Sequence, residues 1–444
     1  MQNQTSITNV TDELPSIAEI IETLTFRAGF NTNTVIAGTT MLGLAAGVVG
    51  VFALLRKRSL MADALSHATL PGICIAFLVA TAMGMDGRSL PVLLLGATVT
   101  GVIGVLCIQA IVRYTRLHHD AAIGIVLSVF FGAGVVLLSY IQENAKSSAA
   151  GLDHFIYGQA AAMSVDDIKL MAGVAATSVV VAVLFIKEFT LTCFNDSFAK
   201  VTGWPVSFID LLLMALVVVV TVAGLQAVGL IMVVALLIIP SVSARFWTDR
   251  LWTLVLLAGL IGAFSGYAGS VMSSLLPRKP AGSVIVLTSG VIFLISMFVA
   301  PTRGVFASVL RRFRLRLRIA GEHLLEAAYE QHGTNISHNQ IAKLAKLRAW
   351  PRWFVPVLIQ MMTRQGYLGA RAGSGVTVTP QGLARGARVN RNHRLWEQYL
   401  VSYADIAPSH VDWSVDQVEH VLTPELVAEL ESLLSSRGIE VPGP

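Results

Sequence analysis

The feature that most narrows what this chain can fold into is a succession of apolar stretches, each about as long as a bilayer is thick. A helix needs roughly 20 apolar residues to cross the hydrocarbon core. Nine such stretches can be read, at 35–55, 60–83, 90–112, 121–141, 168–187, 207–225, 226–244, 251–275 and 281–300. Lipid offers the backbone no hydrogen-bond partners, so the spans are expected to be helices. The sixth and seventh run together and leave open one long bent helix plus a re-entrant piece. Residues 13–30 (ELPSIAEIIETLTFRAGF) read as an amphipathic interfacial helix ahead of the first span. Residues 1–34 lack a basic start followed by an apolar core, so the first apolar helix is expected to target the chain itself.

Charge divides the chain. Charged residues make up 13% of it, about half the share of a soluble domain, which excludes an ordinary soluble enzyme. Residues 303–444 hold 17 of the 32 Lys/Arg and 12 of the 27 Asp/Glu, so the whole +5 excess lies there. An all-α polytopic membrane bundle of eight to nine spans, followed by a water-soluble domain, is the expected fold class. Arg56, Lys57, Arg58, Arg113, Arg116, Lys187, Lys200, Arg245, Arg250 and Arg303 fall at alternate span ends. The positive-inside bias then puts the N-terminus outside and the tail in the cytoplasm. Arg88, Lys146, Arg278 and Lys279 fall on the other side. Cys74, Cys107 and Cys193 lie in or beside apolar runs without CxxC spacing and read as buried thiols.

The second span, SLMADALSHATLPGICIAFLVA, carries Asp63 and His67 four residues apart, on one helix face. An ionisable group inside a span costs a few kcal/mol and usually marks a pathway. Carboxylate with imidazole suits a divalent first-row cation. A second reading stands beside this one: Asp63 sits one turn above the Arg56–Arg58 cluster and merely snorkels or pairs with it. Pro71 and Gly72 can bend the helix and free backbone carbonyls. Residues 188–206 read as a polar loop with a short helix from Asn195 to Val201 closed by Gly203; it is either a docking element or an ordinary solvated loop. Weaker sets are His118, His119 and Asp120, and Asp153 and His154 with Asp166 and Asp167. Helix capping at Ser164 explains part of the latter.

The run RKRSLMADALSHATLPGICIAFL (56–78) resembles the signature of the metal-ion permeases of ABC importers for manganese, zinc or iron. It has an arginine, a serine-led DA(I/L)SH core and a PG pair in that order. Residues 194–206 (FNDSFAKVTGWPV) and 224–247 (GLQAVGLIMVVALLIIPSVSARFW) are similar to the same family's ATPase-contacting loop and second half, and the resemblance covers about 20–302. It implies that Asp63 and His67 line the metal path and that Asn195, Asp196, Ala199, Lys200 and Gly203 form the coupling loop. It also implies a bacterial inner-membrane location and three partners. These are a cytoplasmic ATP-binding subunit, a periplasmic or lipid-anchored metal-binding protein, and a second permease, the same chain or a paralogue. No Gly-Lys pair occurs, so a P-loop is absent and the chain is not expected to be an enzyme.

The tail opens with six arginines between Arg303 and Arg318, read as a juxtamembrane helix on anionic headgroups. Residues 321–390 then follow a helix, helix, helix, wing order, which reads as a winged-helix module. Residues 391–431 resemble the metal-sensing and dimerisation region of the diphtheria-toxin-repressor family. That resemblance implies His323, Glu326, His393, Glu397, Asp416, Glu419 and His420 as ligands, while Asp412 departs from the iron-type pattern. Oxygen and imidazole donors without thiolate favour manganese or ferrous iron over zinc. At the recognition helix the chain has RAWPRWFVPVLIQMM, where Pro356 is expected to interrupt the helix and Trp350, Trp353 and Phe354 replace small polar residues; DNA is disfavoured as a partner.

The expected organisation is thus an interfacial helix (1–34), a permease domain (35–302), a basic linker helix (303–320), a winged-helix-like domain (321–390) and a metal-binding, dimerisation-like domain (391–444). The expected function is the permease subunit of an ATP-driven importer, for manganese first and zinc or iron as alternatives. Its tail is expected to sense metal and restrain transport. The rival readings are an ATP-independent metal transporter and a membrane-tethered transcription regulator.

Overall fold

The computed structural model describes residues 16–56, 59–85, 89–144, 164–276, 280–331, 334–372, 375–403 and 423–436. The chain divides into two compact units, Met1–Ala307 and Ser308–Pro444.

The described secondary structure of the first unit is all helical. It contains α1 (Ile17–Leu24), α2 (Phe30–Leu55), α3 (Ser59–Ala82), α4 (Leu90–Tyr114), α5 (His119–Asn144), α6 (Val165–Leu184), α7 (Ile186–Phe194), α8 (Asp196–Val201), α9 (Val206–Val228), α10 (Leu230–Arg245), α11 (Leu251–Leu275) and α12 (Ala281–Val299). Among the described residues eight helices are long and apolar enough to cross a membrane, namely α2 to α6, α9, α11 and α12. The expected seventh span is instead the shorter apolar helix α10, of 16 residues. Gly229, at φ 89°, ends α9 and starts α10. That left-handed backbone is open to glycine at little cost, so the continuous apolar run becomes two helices joined at a sharp corner and not one bent rod. The expected polar loop 188–206 is helical over its first part, because α7 runs on to Phe194.

Small residues let these helices approach closely, as they must where lipid removes the hydrophobic drive between spans. Gly43 faces Gly262 and Gly47 faces Ala258 across α2 and α11; a β-carbon on Gly47 would stand 2.7 Å from the Ala258 carbonyl carbon. The Thr39 and Ser270 hydroxyls share a 2.7 Å hydrogen bond in the same interface. Helix α1 starts on a capping box between Ser16 and Glu19. The Tyr267 hydroxyl donates to the Leu24 carbonyl at 2.6 Å, fixing the helix's far end on α11. Ile17 and Ile21 of α1 stay exposed.

The second unit begins in α13 (Val305–Glu330), one helix running through residues 320 and 321. It continues with β1 (Asn335–Ser337), α14 (His338–Leu347), α15 (Phe354–Arg364), β2 (Leu368–Ala372), β3 (Gly375–Val378), α16 (Pro380–Tyr403) and α17 (Pro424–Ser436). The antiparallel sheet has the order β1-β3-β2, so β2 and β3 form the wing. Leu324, Leu325, Ile336, Ile341, Phe354, Leu358, Met362 and Val376 close its core. Pro356 does not interrupt the recognition-position helix. Helix α15 starts at Phe354, which places Pro356 in the first turn, where backbone N–H groups have no helical acceptor anyway. Trp353 stacks on Phe313 of α13 at 5.9 Å, and Phe354 meets the same ring edge-on.

Candidate functional site

Helix α3 carries Asp63 and His67 one turn apart. His67 Nε2 lies 3.5 Å from Asp63 Oδ1, and its ring meets Phe131 of α5 edge-on at 4.7 Å. Two partners thus orient the imidazole, a carboxylate below and an aromatic ring beside it. Pro71 sits inside α3 and has no N–H to give the carbonyl four residues back, which is that of His67. A carboxylate, an imidazole and a carbonyl without its helical donor therefore belong to one stretch of helix, walled by the buried Ala64, Leu65 and Ala68. Arg56 is not the partner of Asp63; its bonds go elsewhere. Lys57 and Arg58 lie outside the described residues.

The segment after α7 builds a compact knot. Asn195 caps α8 by accepting from the Phe198 N–H at 2.9 Å. Ala199 is buried, and Gly203, at φ 83°, turns the chain away. Lys200 reaches Asp196 at 2.9 Å. Arg56, at the end of α2, bonds Asp196 at 2.8 Å and Asp210 of α9 at 2.9 Å, and also donates to the Thr192 carbonyl. Burial works against the Asp196 carboxylate, yet the bonds from Lys200 and Arg56 outweigh it and hold its pKa below the usual value. Phe194, Phe198, Val201 and Trp204 remain exposed around α8, an apolar patch outside the spans. The sequence offers Arg56 as a topology anchor, as a partner of Asp63 or as the arginine of the permease signature, and gives no role to Asp210. An acid four residues into an apolar helix, with no cation on its own turn, was the available signal.

In the tail, Glu326 stands between two imidazoles. Its Oε2 is 3.7 Å from His323 Nδ1 on the same helix, and its Oε1 is 3.7 Å from His393 Nδ1 on α16. Glu397 follows His393 by one turn and is half-buried. Among the described residues no group of three or more His, Cys, Asp or Glu is close enough to hold an ion. The other expected ligands, Asp416, Glu419 and His420, lie outside the described residues, as does Asp412. One turn back on α13, the buried Glu322 accepts from Arg385 of α16 and from Arg318 at 3.4 Å. On its other side Glu330 accepts from Asn390 at 3.3 Å. Three acids on one face of α13 are thus matched by α16.

The weaker sets separate. His118, His119 and Asp120 are exposed at the start of α5. Ser164 and Asp167 form a reciprocal helix cap, and Asp166 pairs with Lys169 at 2.8 Å; Asp153 and His154 lie outside the described residues.

Comparison with known proteins agrees with this layout. Residues 30–300 match the ABC 3 transport family. Residues 379–437 match the iron dependent repressor, metal binding and dimerisation domain. The chain is 42% identical over 381 residues to the manganese transport system membrane protein MntC of Bacillus subtilis, covering 85% of this chain and 86% of that one. It is 43% identical to the zinc transport system membrane protein TroC of Treponema pallidum over 65% of this chain and 95% of that one. The solved structure of PsaBC from Streptococcus pneumoniae in complex with Fab aligns with a TM-score of 0.56 at 33% identity, covering 65% of this chain and 98% of that one. The chain is a multi-pass membrane protein and belongs to the ABC 3 transport family.

Proposed function

We propose that this chain is the permease subunit of an ATP-driven importer for a divalent transition metal, manganese first, with zinc and iron as alternatives. The observation that carries the reading is the Asp63–His67 pair at 3.5 Å within a membrane-spanning helix. Such a pair offers one oxygen and one nitrogen to a passing ion, too few to trap it, and a second permease would double the set at a twofold axis. Exposed Phe198 and Val201 on the capped helix α8 suit docking of a separate ATP-binding subunit. A periplasmic or lipid-anchored protein delivers the ion. With the N-terminus outside the bacterial inner membrane and the tail in the cytoplasm, α8 and its partner share the tail's compartment. The tail then senses cytoplasmic metal through His323, Glu326, His393 and Glu397, completed by Asp416, Glu419 and His420. Their oxygen and imidazole donors fit manganese or ferrous iron, and a filled tail restrains transport.

The test is uptake of radioactive manganese by vesicles holding the chain with its ATP-binding subunit and supplied with the metal-delivery protein. Asp63→Ala and His67→Ala should each reduce ATP-dependent uptake to near background while the protein level holds. Normal uptake in both variants would sink the pathway assignment. Deleting 320–444 should raise uptake only when internal manganese is high; an unchanged rate would remove the tail's role.

A further inference from the structure

We propose that Arg56 is the positioning residue that carries movement of α8 into α3, the helix bearing Asp63 and His67. This rests on reading the chain as an ATP-driven importer. Arg56 spends each of its three nitrogens on a different element. Nε bonds Asp210 of α9 at 2.9 Å, Nη2 bonds Asp196 of α8 at 2.8 Å, and Nη1 donates to the Thr192 carbonyl at the end of α7. A guanidinium is a planar fork whose donors are fixed relative to one another. If one partner moves, the other bonds bend with it or the side chain and its backbone follow.

The backbone that would follow is the short link into α3. Arg56 caps α2, and α3 starts at Ser59. The end of α2 is held to α7 as well, since the Phe52 and Phe189 rings lie 5.1 Å apart. Asp196 has a second cation, Lys200, but that side chain is 63% exposed while Arg56 is 11% exposed. Solvent screens the first contact and leaves it worth little. The buried fork is the stiffer of the two ionic connections, so a partner pressing on the apolar patch of α8 acts on Arg56. The same arginine begins the run that leads to Asp63 and His67, so drive and path meet at one side chain.

A plain staple and a coupling element differ in what their loss does. Losing a staple lowers the amount of working protein, and ATP hydrolysis and uptake fall together. Losing a coupling element leaves hydrolysis running and uncouples it from transport. The experiment uses vesicles containing the full chain and its ATP-binding subunit, supplied with the metal-delivery protein and with Mn2+ as the probe, and measures uptake and ATP hydrolysis on the same samples. Arg56→Ala should lower the ratio of manganese moved to ATP hydrolysed by about tenfold. Arg56→Lys should recover part of the ratio, because an ammonium can still reach one carboxylate. Asp196→Asn removes one bond at a half-exposed carboxylate and should lower the ratio by about threefold, which keeps the test alive where Arg56→Ala fails to accumulate. An unchanged ratio in Arg56→Ala and Asp196→Asn overturns the proposal. So does a parallel fall of both activities with Lys no better than Ala. A wild-type complex without ATP-dependent uptake would instead overturn the importer reading on which the proposal stands.

Discussion

Gly386 tests whether the tail's ligands are aligned by the crossing of two helices. It lies where α16 passes over α13, and a β-carbon there would stand 2.9 Å from the Leu325 carbonyl carbon and nearer still to its oxygen. Ordinary carbon contacts begin at about 3.5 Å, so Gly386→Ala must push the helices apart by roughly 0.6 to 1 Å. Glu326 is the next residue on α13, and His393 lies about two turns along α16. Their 3.7 Å separation would open to about 4.5 Å, beyond the roughly 0.5 Å tolerance of a working site. Alanine also gains up to about 1 kcal/mol of helix propensity. The tail should therefore lose no more than about 2 kcal/mol of stability after the overlap is included. Manganese affinity should fall about 10- to 100-fold, or roughly 1.4 to 2.8 kcal/mol, although no ligand has been touched. The assay is equilibrium dialysis with metal analysis on the full chain, in an Asp63→Ala, His67→Ala background so that only the tail counts. Gly132→Ala, where a β-carbon meets nothing within 4 Å, serves as the control. Unchanged affinity in Gly386→Ala would mean that the ion is not held between α13 and α16.

Three further outcomes follow from the same geometry. Arg385→Met removes a close partner of the Glu322 carboxylate, which is 7% exposed and also accepts from the largely exposed Arg318. It should cost about 2–4 kcal/mol in thermal unfolding followed by tryptophan fluorescence, and adding Glu322→Leu should return stability to within about 1 kcal/mol of wild type; no recovery in the double variant refutes the buried-charge argument. Pro356→Ala should change stability by less than about 1 kcal/mol, because the first turn needs no N–H from that residue; a gain of several kcal/mol would show that the proline distorts α15. Asp196 has a depressed pKa, so its contribution is present above the ordinary carboxylate pKa and is lost only as pH falls through the lower folded value. The fall in the manganese-to-ATP ratio caused by Asp196→Asn should therefore be the same at about pH 8 as at about pH 6, and its disappearance between about pH 7 and 6 would assign the coupling to another group.

The bundle was legible in the sequence because lipid leaves the backbone one choice. A run of about 20 apolar residues must be helical, and spacing alone puts Asp63 and His67 on one face. The break at Gly229 was harder to read, since residues 211–239 are apolar apart from Thr221 and Gln226 and one glycine's backbone angle decides between a bend and a break. Pro356 misled for a related reason. Proline breaks a helix interior but suits its first turn, and the choice depends on where α15 starts. That start is set by tertiary packing of Trp353 and Phe354 on Phe313, which no local pattern encodes.

Pairings between distant segments were the least legible, and they carry most of the chemistry. Arg56 and Asp210 are 154 residues apart, and each has an adequate local reading as a topology anchor or a stray acid. Only the fold shows that the arginine the positive-inside bias would place at a membrane edge is buried by two carboxylates and a carbonyl. The same holds at Glu326, whose imidazole partners come from its own helix and from α16. In both places an acid draws together elements that spacing had assigned to separate roles. An arginine that spacing reads as a topology anchor thus also ties three elements of the closed bundle together.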